Sequence, residues 1–297
     1  YGEVHVYGVD MAQADRTPGA DGGEYCVGPE TAVLAADLRH VRAGDVRVGD
    51  EIMAFEEYPT TPGVRRWRKA TVQAADRITR PSYRIHLTDG TVLFSSQEHR
   101  WLVQLADGSV TWRETQHLMH LPNHSARPSR LIRVTDVWDD DRSFDGGYLA
   151  ATFDGEGYLS QHAHPEATTR VLRMGFAQRP NAMRDAAMTA LAEREFDVSE
   201  RQAPSAINHM LLGGRPETMR FLGSIRPKRL LSQLDVDLLG QMRAMEYVEV
   251  ASLEFVGEQE VVALKTSEGT FIADGFATHN SHQRPSCEYF LGFLRGM

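Results

Sequence analysis

Phe271–Ile272–Ala273–Asp274–Gly275–Phe276–Ala277–Thr278–His279–Asn280–Ser281 is the stretch whose reading decides the fold. Residues 270–273 read as a strand, and the Asp274–Gly275 pair is turn chemistry. A histidine, a carboxamide and a hydroxyl then follow in succession. Asn280 can attack its own backbone carbonyl through its side-chain nitrogen, which breaks the Asn280–Ser281 bond and leaves a succinimide. His279 stands where it can protonate the departing amine, and Ser281 can accept an acyl group.

The partner for this ending lies far upstream, at Cys26. A thiolate is a stronger nucleophile than a hydroxyl at neutral pH, and the electrophile nearest to it is the carbonyl of Tyr25, in its own peptide bond. Attack there turns an amide into a thioester. Ser96–Gln97–Glu98–His99 can assist: the imidazole can protonate the departing amide nitrogen, and the Ser96 hydroxyl can hydrogen-bond the same peptide. Taken singly, each residue has a plain structural reading. A lone cysteine is usually a small buried hydrophobe, and His-Asn-Ser also occurs by chance. Their weight comes from the flanks, because residues 1–25 and 281–297 look like fragments of another protein, interrupted between Tyr25 and Ser281.

Composition narrows the class. A hydrophobic fraction of 41% supports globular cores, and the net charge of −9 argues against nucleic-acid binding over the whole surface while leaving room for a local basic face. The two cysteines, Cys26 and Cys287, give neither a disulfide framework nor a zinc cluster, and free thiols fit a reducing cytoplasm. No apolar run approaches the roughly 18 residues of a membrane helix, and the N-terminus has no signal-peptide pattern. The expected location is therefore cytoplasmic.

Along the chain, Val4–Val9 reads as a strand and is followed by a Gly-rich loop. From Cys26 to about Val137 the signals are β, with hairpin turns at Asp89–Gly90 and Asp107–Gly108 and Pro-containing loops at 58–63 and 122–128. After Asp139–Asp140–Asp141 the character changes. Residues 147–153 read as a small-residue helix, 157–162 and 170–177 as strands, and 181 to about 196 as a helix with Asn181 as N-cap. A further strand is expected near 206–212, and helices at Pro216 and after Pro227. Strands return at 247–256, 261–266 and 270–273. The expected fold class is a mostly β domain interrupted by an α+β domain.

Several blocks of this sequence resemble an intein with the Hedgehog/intein (Hint) fold. They are Cys26–Val27–Gly28–Pro29–Glu30–Thr31 continuing to Val48–Gly49–Asp50; Gly90 to His99, with Ser96 where the family usually has Thr; Val261–Val262–Ala263–Leu264; and Phe271 to Asn280. The resemblance covers Cys26 to Asn280. It implies protein splicing without a cofactor: thioester formation at Cys26, transfer to Ser281, cyclisation of Asn280, and ligation of the flanks, which are the chain's own substrate. It also implies a Hint domain built from 26–138 and 243–280, flanked by extein segments 1–25 and 281–297. Trp101 and Thr278 match the signature of class 3 inteins, in which a cysteine at the position of Ala263 carries the branched thioester. Here that nucleophile is missing. Either the chain uses Cys26, or Ala263 is an engineered change that blocks splicing.

The insert, 139–242, resembles a LAGLIDADG homing endonuclease, with Leu149–Ala150–Ala151 opening the motif helix and Glu156–Gly157 closing it. This resemblance implies Mg²⁺ at Glu156, with Asp154 as a second acid whose ordinary role is helix-end hydrogen bonding. One αββαββ unit holds a single acidic motif, so an active nuclease would be a homodimer on double-stranded DNA. Arg173, Arg179, Arg226, Lys228 and Arg229 are candidate phosphate contacts. The flanks loosely resemble a Rossmann-like phage protein, which implies a phage origin. Two other readings stay open: a Hedgehog-type autoprocessing domain, which would not need His279, Asn280 or Ser281, and a nuclease on an inert β scaffold.

Overall fold

The computed structural model describes residues 25–59, 61, 63–119, 129–163 and 170–280. The expected strand at Val4–Val9, the loop 122–128, Ser281, Cys287 and the downstream flank lie outside them. In chain order the first elements are β1 (Cys26–Val27), β2 (Ala32–Leu34), β3 (His40–Arg42), β4 (Glu51–Phe55), β5 (Trp67–Leu87), β6 (Val92–Ser96), β7 (Arg100–Gln104), β8 (Val110–Glu114) and β9 (Arg130–Arg133). An α+β region follows: α1 (Phe144–Glu156), β10 (Gly157–Ala163), β11 (Arg170–Gln178), α2 (Ala182–Glu193), β12 (Val198–Gln202), β13 (Ile207–Leu211), α3 (Gly214–Ile225) and α4 (Lys228–Leu231). The chain returns to β structure with β14 (Glu246–Thr266), β15 (Thr270–Ala273) and β16 (Phe276–His279).

The architecture is thus mostly β with a smaller α+β region. Its spine is the antiparallel pair β5–β14, two strands of 21 residues each. The sequence divides β14 into two strands. The structure instead carries it through as one, because Gly257 (φ +77°) takes up a register shift as a β-bulge and does not turn the chain. Pro81 faces Glu258 beside that bulge, where a missing ladder N–H is tolerated. The turns at Asp89–Gly90 and Asp107–Gly108 connect β5 to β6 and β7 to β8. Asp274 (φ +49°) and Gly275 (φ +82°) both adopt positive φ, the pattern of a type I′ hairpin, and fold β16 back onto β15. β16 was not among the expected strands.

Strand order brings the ends of the 26–280 segment together. The large sheet runs β3-β2-β15-β16-β7-β9-β14-β1-β6-β5-β4, with β8 attached to β7. β1 therefore lies between β14 and β6, while β16 lies on β7, the strand that opens right after His99.

In the α+β region a four-stranded antiparallel sheet, ordered β10-β11-β13-β12, carries the helices. Phe153 of α1 packs on Phe221 of α3 (ring centroids 4.4 Å) and on Phe176 of β11 (5.2 Å). Ser143 caps α1 and Asn181 caps α2, each accepting a backbone N–H three residues on. β12 reads Val-Ser-Glu-Arg-Gln, with too little apolar content to signal a strand; it is an edge strand carrying exposed charge. Apolar packing is continuous between the two regions. Leu34, Leu38, Phe55 and Trp67 belong to the same core as Leu149, Phe153 and Phe221. Trp138 Nε1 donates to Leu38 O (2.9 Å), and Gly223 lies so close to this contact that a Cβ there would come 2.1 Å from the indole nitrogen. Among the described residues no helix is long and apolar enough to cross a membrane.

Candidate active site

Cys26 is fully buried in β1, with Ala263 of β14 directly across from it in the ladder. Its backbone N–H donates to Ser96 Oγ (3.1 Å), so the hydroxyl is hydrogen-bonded to the Tyr25–Cys26 peptide itself. Val261, Ala263, Ile78 and Phe94 form an apolar pocket around the thiol.

His99 is fully buried between the two ends of the segment. Its Nε2 is hydrogen-bonded to Thr278 Oγ1, and that hydroxyl donates its single proton to Arg100 O (3.1 Å). The hydroxyl must therefore accept from the imidazole, which assigns the Nε2–H tautomer and leaves Nδ1 as the free base. Nδ1 makes no hydrogen bond of ordinary geometry, although the Tyr25 carbonyl is close enough to favour its protonation. Burial, and then the nearby His279, push the His99 pKa down to about 3 despite that carbonyl. At neutral pH the ring is uncharged.

Trp101 packs edge-on against His99 (4.8 Å), and its backbone pairs with that of Thr278. Its indole N–H donates to Thr115 Oγ1 (3.2 Å), which in turn meets Ser95 Oγ (2.8 Å) and His99 O (3.2 Å). The tryptophan thus holds the histidine in place through packing and a buried polar chain.

The downstream end is equally enclosed. His279 is 2% exposed, and its Nδ1 lies 2.9 Å from Asn280 O, the carbonyl next to the downstream junction. Asn280 is 4% exposed; its backbone N–H donates to Gly269 O (3.0 Å) and its side-chain Nδ2 to Thr266 O (3.3 Å). The Tyr25 ring is T-shaped against His279 at 5.5 Å, and the Arg100 guanidinium lies over Tyr25 at 4.7 Å. The residue before Cys26 therefore touches the residue before Asn280. A cavity of about 970 Å³, lined by residues such as Gly28, Thr31 and Asp274, does not include Cys26, His99 or Asn280.

Sequence reasoning missed Glu57, Arg100, Ser95 and Thr115. Arg100 sits between His99 and Trp101, so its neighbourhood was readable. Glu57 is brought to His279 only by tertiary folding, and no local pattern marks it.

The α+β region distributes its expected residues differently. Both carboxylate oxygens of Asp154 accept backbone N–H groups at the start of α4, from Lys228 (2.9 Å) and Arg229 (2.8 Å). Glu156 is exposed, and among the described residues no three His, Cys, Asp or Glu side chains converge as a metal-holding group. Asp154 and Glu156 therefore do not fit Mg²⁺ within one chain, and no cleavage step is derived through a metal. Arg226 pairs with Asp37 of the β region (3.0 Å), and Arg229 donates to the carbonyls of Phe153, Asp154 and Gly157. Both arginines tie the fold together and are not free for phosphate. Arg179 donates to Ser205 O (2.8 Å). Arg173 lines a cleft of about 890 Å³, where it joins Arg66, Arg215 and Arg243.

No family model matches the chain. Among curated proteins, the replicative DNA helicase DnaB of Mycobacterium leprae (strain TN) is 36% identical over 58 residues, which is 20% of this chain and 8% of that protein; the chain thus spans a small part of the relative it matches. Similar solved structures include the Ssp DnaB mini-intein variant M86 (13% identity, TM-score 0.38, covering 88% of this chain and 96% of that one). The DnaB intein from Synechocystis sp. PCC 6803 (11%, 0.37, 86% and 99%) and the gp41-1 intein (11%, 0.37, 86% and 98%) are similar to the same degree. Likeness at this level carries no weight on mechanism, which rests on the geometry above. The chain is similar to solved inteins, DnaB inteins among them.

Proposed function

We propose that this chain is an intein that excises residues 26–280 and joins 1–25 to 281–297. The observation that carries the reading is the contact between Tyr25 and His279, which brings both junctions into one buried pocket. Proximity is then the main catalytic device, because it makes acyl transfer between residues distant in sequence intramolecular.

In the first step the Cys26 thiol loses its proton and Sγ attacks the Tyr25 carbonyl carbon. The C–N bond to Cys26 breaks, and the nitrogen takes up a proton and becomes an amine. The proton lost by the thiol and the proton gained by the nitrogen balance, and Nδ1 of His99, beside the Tyr25 carbonyl, is the ring atom that faces this peptide. A ring held near pKa 3 is, once protonated, a strong acid toward the departing nitrogen. Ser96 Oγ, already bonded to this N–H, keeps the nitrogen in place. The Ser281 hydroxyl next attacks the thioester carbonyl and releases the Cys26 thiol. Asn280 Nδ2 then attacks the Asn280 carbonyl carbon and gives up one of its two protons to form the succinimide, while the C–N bond to Ser281 breaks and the Ser281 nitrogen takes up a proton and leaves as an amine. That amine finally attacks the ester carbonyl, the C–O bond to Ser281 Oγ breaks, and the amine's proton returns to that oxygen as the new peptide bond forms.

Expression of the full chain followed by mass measurement tests this. Splicing yields residues 26–280 plus a ligated peptide of 1–25 and 281–297. N-terminal cleavage alone points to a Hedgehog-type reaction, and an intact chain to an inert scaffold. Cys26→Ala combined with Asn280→Ala abolishes both cleavages.

The arginine cleft favours a second reading, in which the α+β region binds double-stranded DNA. Four arginines meet there with no carboxylate in the lining, in a chain of net charge −9. Arg215 is held with its pKa lowered by burial and by Arg243, an arrangement that an anion would relieve. Gly147, Ala151 and Gly155 lie exposed on α1 near Phe144, which is 85% exposed, and this open face suits pairing with a second copy. Electrophoretic mobility of a duplex oligonucleotide, with Arg173→Glu and Arg243→Glu as variants, tests the cleft. Unchanged binding in both variants, or no binding by the native chain, overturns this reading. Sedimentation velocity reports the pairing.

A further inference from the structure

His279 makes its two ring contacts with two acceptors. Nδ1 lies 2.9 Å from Asn280 O, and Nε2 lies 2.6 Å from Glu57 Oε1. A backbone carbonyl only accepts, and so does an ionised carboxylate. A neutral imidazole has one N–H and can satisfy one of them. Both bonds are made when the ring carries a proton on each nitrogen, with the charge balanced by Glu57.

Resting on the splicing reading, we propose that Glu57 is a positioning residue for the downstream junction. It holds His279 as an imidazolium whose Nδ1–H points at the Asn280 carbonyl oxygen. When Asn280 Nδ2 attacks the carbonyl carbon, negative charge develops on that oxygen, and the Nδ1–H is already bonded to it. The same charged ring is the source of the proton that the Ser281 nitrogen needs as the C–N bond breaks.

The surroundings of Glu57 are built around this contact. Gly269, at φ +76°, stands so close that a Cβ there would fall 2.3 Å from Glu57 Oε2, and its carbonyl accepts the Asn280 N–H. One glycine therefore leaves room for the carboxylate and also anchors the reacting asparagine. Arg65 donates to the backbone carbonyls of Glu56 and Glu57, and its guanidinium lies over Trp112, whose ring packs against His279 at 5.0 Å. The titratable and charged groups around His279 are Glu57 from the loop after β4, His99 before β7, Tyr25 before β1, Arg100 over Tyr25, and Arg65 behind Glu57. His99 is neutral at working pH, so Glu57 supplies the negative charge in direct contact with the ring.

The test uses the full chain in the Cys26→Ala background, where cleavage at Asn280–Ser281 proceeds alone. Release of residues 281–297 is followed across pH for the parent, Glu57→Gln, Glu57→Asp and Gly269→Ala. Glu57→Gln keeps the size and loses the charge. We expect its rate to fall roughly 100-fold, with a changed pH profile. Glu57→Asp recovers part of the rate and the parent's pH profile, and Gly269→Ala behaves as Glu57→Gln does. Urea midpoints compare the folding of each variant. If the parent releases nothing, the splicing reading itself fails. If the parent cleaves while folded Glu57→Gln matches its rate and pH profile, Glu57 has no such role.

Discussion

His99 and Thr278 are joined by a hydrogen bond inside a fully buried pocket, although one follows the β6 hairpin and the other lies two residues from the segment's end. The bond fixes the imidazole tautomer and couples the two junctions mechanically. Whatever moves β16 also moves His99, the imidazole beside the Tyr25 carbonyl.

Thr278→Val keeps the shape of the side chain and removes the hydroxyl. His99 Nε2 then has no acceptor in a buried site, which costs about 1–3 kcal/mol. The urea midpoint should fall accordingly, and cleavage of Tyr25–Cys26 by added thiol should slow. An unchanged thiolysis rate would remove Thr278 from the orienting role.

Ala263 faces Cys26 across the ladder, and directly opposed residues of an antiparallel pair have Cβ atoms about 4.5–5.5 Å apart. A thiol placed at Ala263 is therefore within reach of the Tyr25 carbonyl. Cys26→Ala abolishes thiol-induced cleavage, and adding Ala263→Cys to it should restore part of that cleavage. In the otherwise native chain, Ala263→Cys that splices no faster counts against Ala263 as an engineered block. Failure of the double variant to react would place the two positions farther apart in solution.

Two buried histidines make the fold sensitive to acid. Burial lowers the pKa of His99 to about 3 and that of His40 to about 4. The unfolded chain binds protons at these residues at higher pH than the folded chain does, so stability rises with pH between those values and the ordinary imidazole value. The stabilisation is complete above about pH 6.5 and is lost as pH falls toward 3 to 4. Urea midpoints of the Cys26→Ala, Asn280→Ala double variant should drop between about pH 7 and about pH 4.5, and His40→Phe should reduce that drop.

Gly223 tests the seam between the β and α+β regions. A methyl group there collides with Trp138 Nε1 and Leu38 O, the two partners of the hydrogen bond that links the regions. Gly223→Ala should cost about 1–3 kcal/mol by overpacking and should remove the Trp138 indole from its buried place, read by its fluorescence. Retention of native stability would show that the seam yields easily.

Much of this site was legible because its chemistry is tied to order along the chain. Cys26, His99, His279 and Asn280 each precede or follow a turn or strand signal, and turn pairs such as Asp89–Gly90 and Asp274–Gly275 place them at strand ends. Ser96 was legible for the same reason, three residues before His99. Glu57 was not, because a lone acid beside a loop looks like solvated charge until folding sets it against His279. The expected break between strands 247–256 and 261–266 did not form, because a glycine such as Gly257 in a periodic run can accompany either a turn or a bulge, and only pairing with β5 decides between them. The arginines misled for the opposite reason. Arg226 and Arg229 lie in a basic run that looks free, yet their partners, Asp37 and the end of α1, come from distant sequence.

The Tyr25 ring, before Cys26, rests on the His279 ring, before Asn280. The most direct test is nuclear Overhauser transfer between the ring protons of Tyr25 and His279 in the uncleaved Cys26→Ala, Asn280→Ala chain, where the ring centroids lie 5.5 Å apart. A cross-peak between the two rings is the predicted result. Its absence, with a Tyr25 ring accessible to solvent, would contradict the shared pocket and the splicing mechanism built on it.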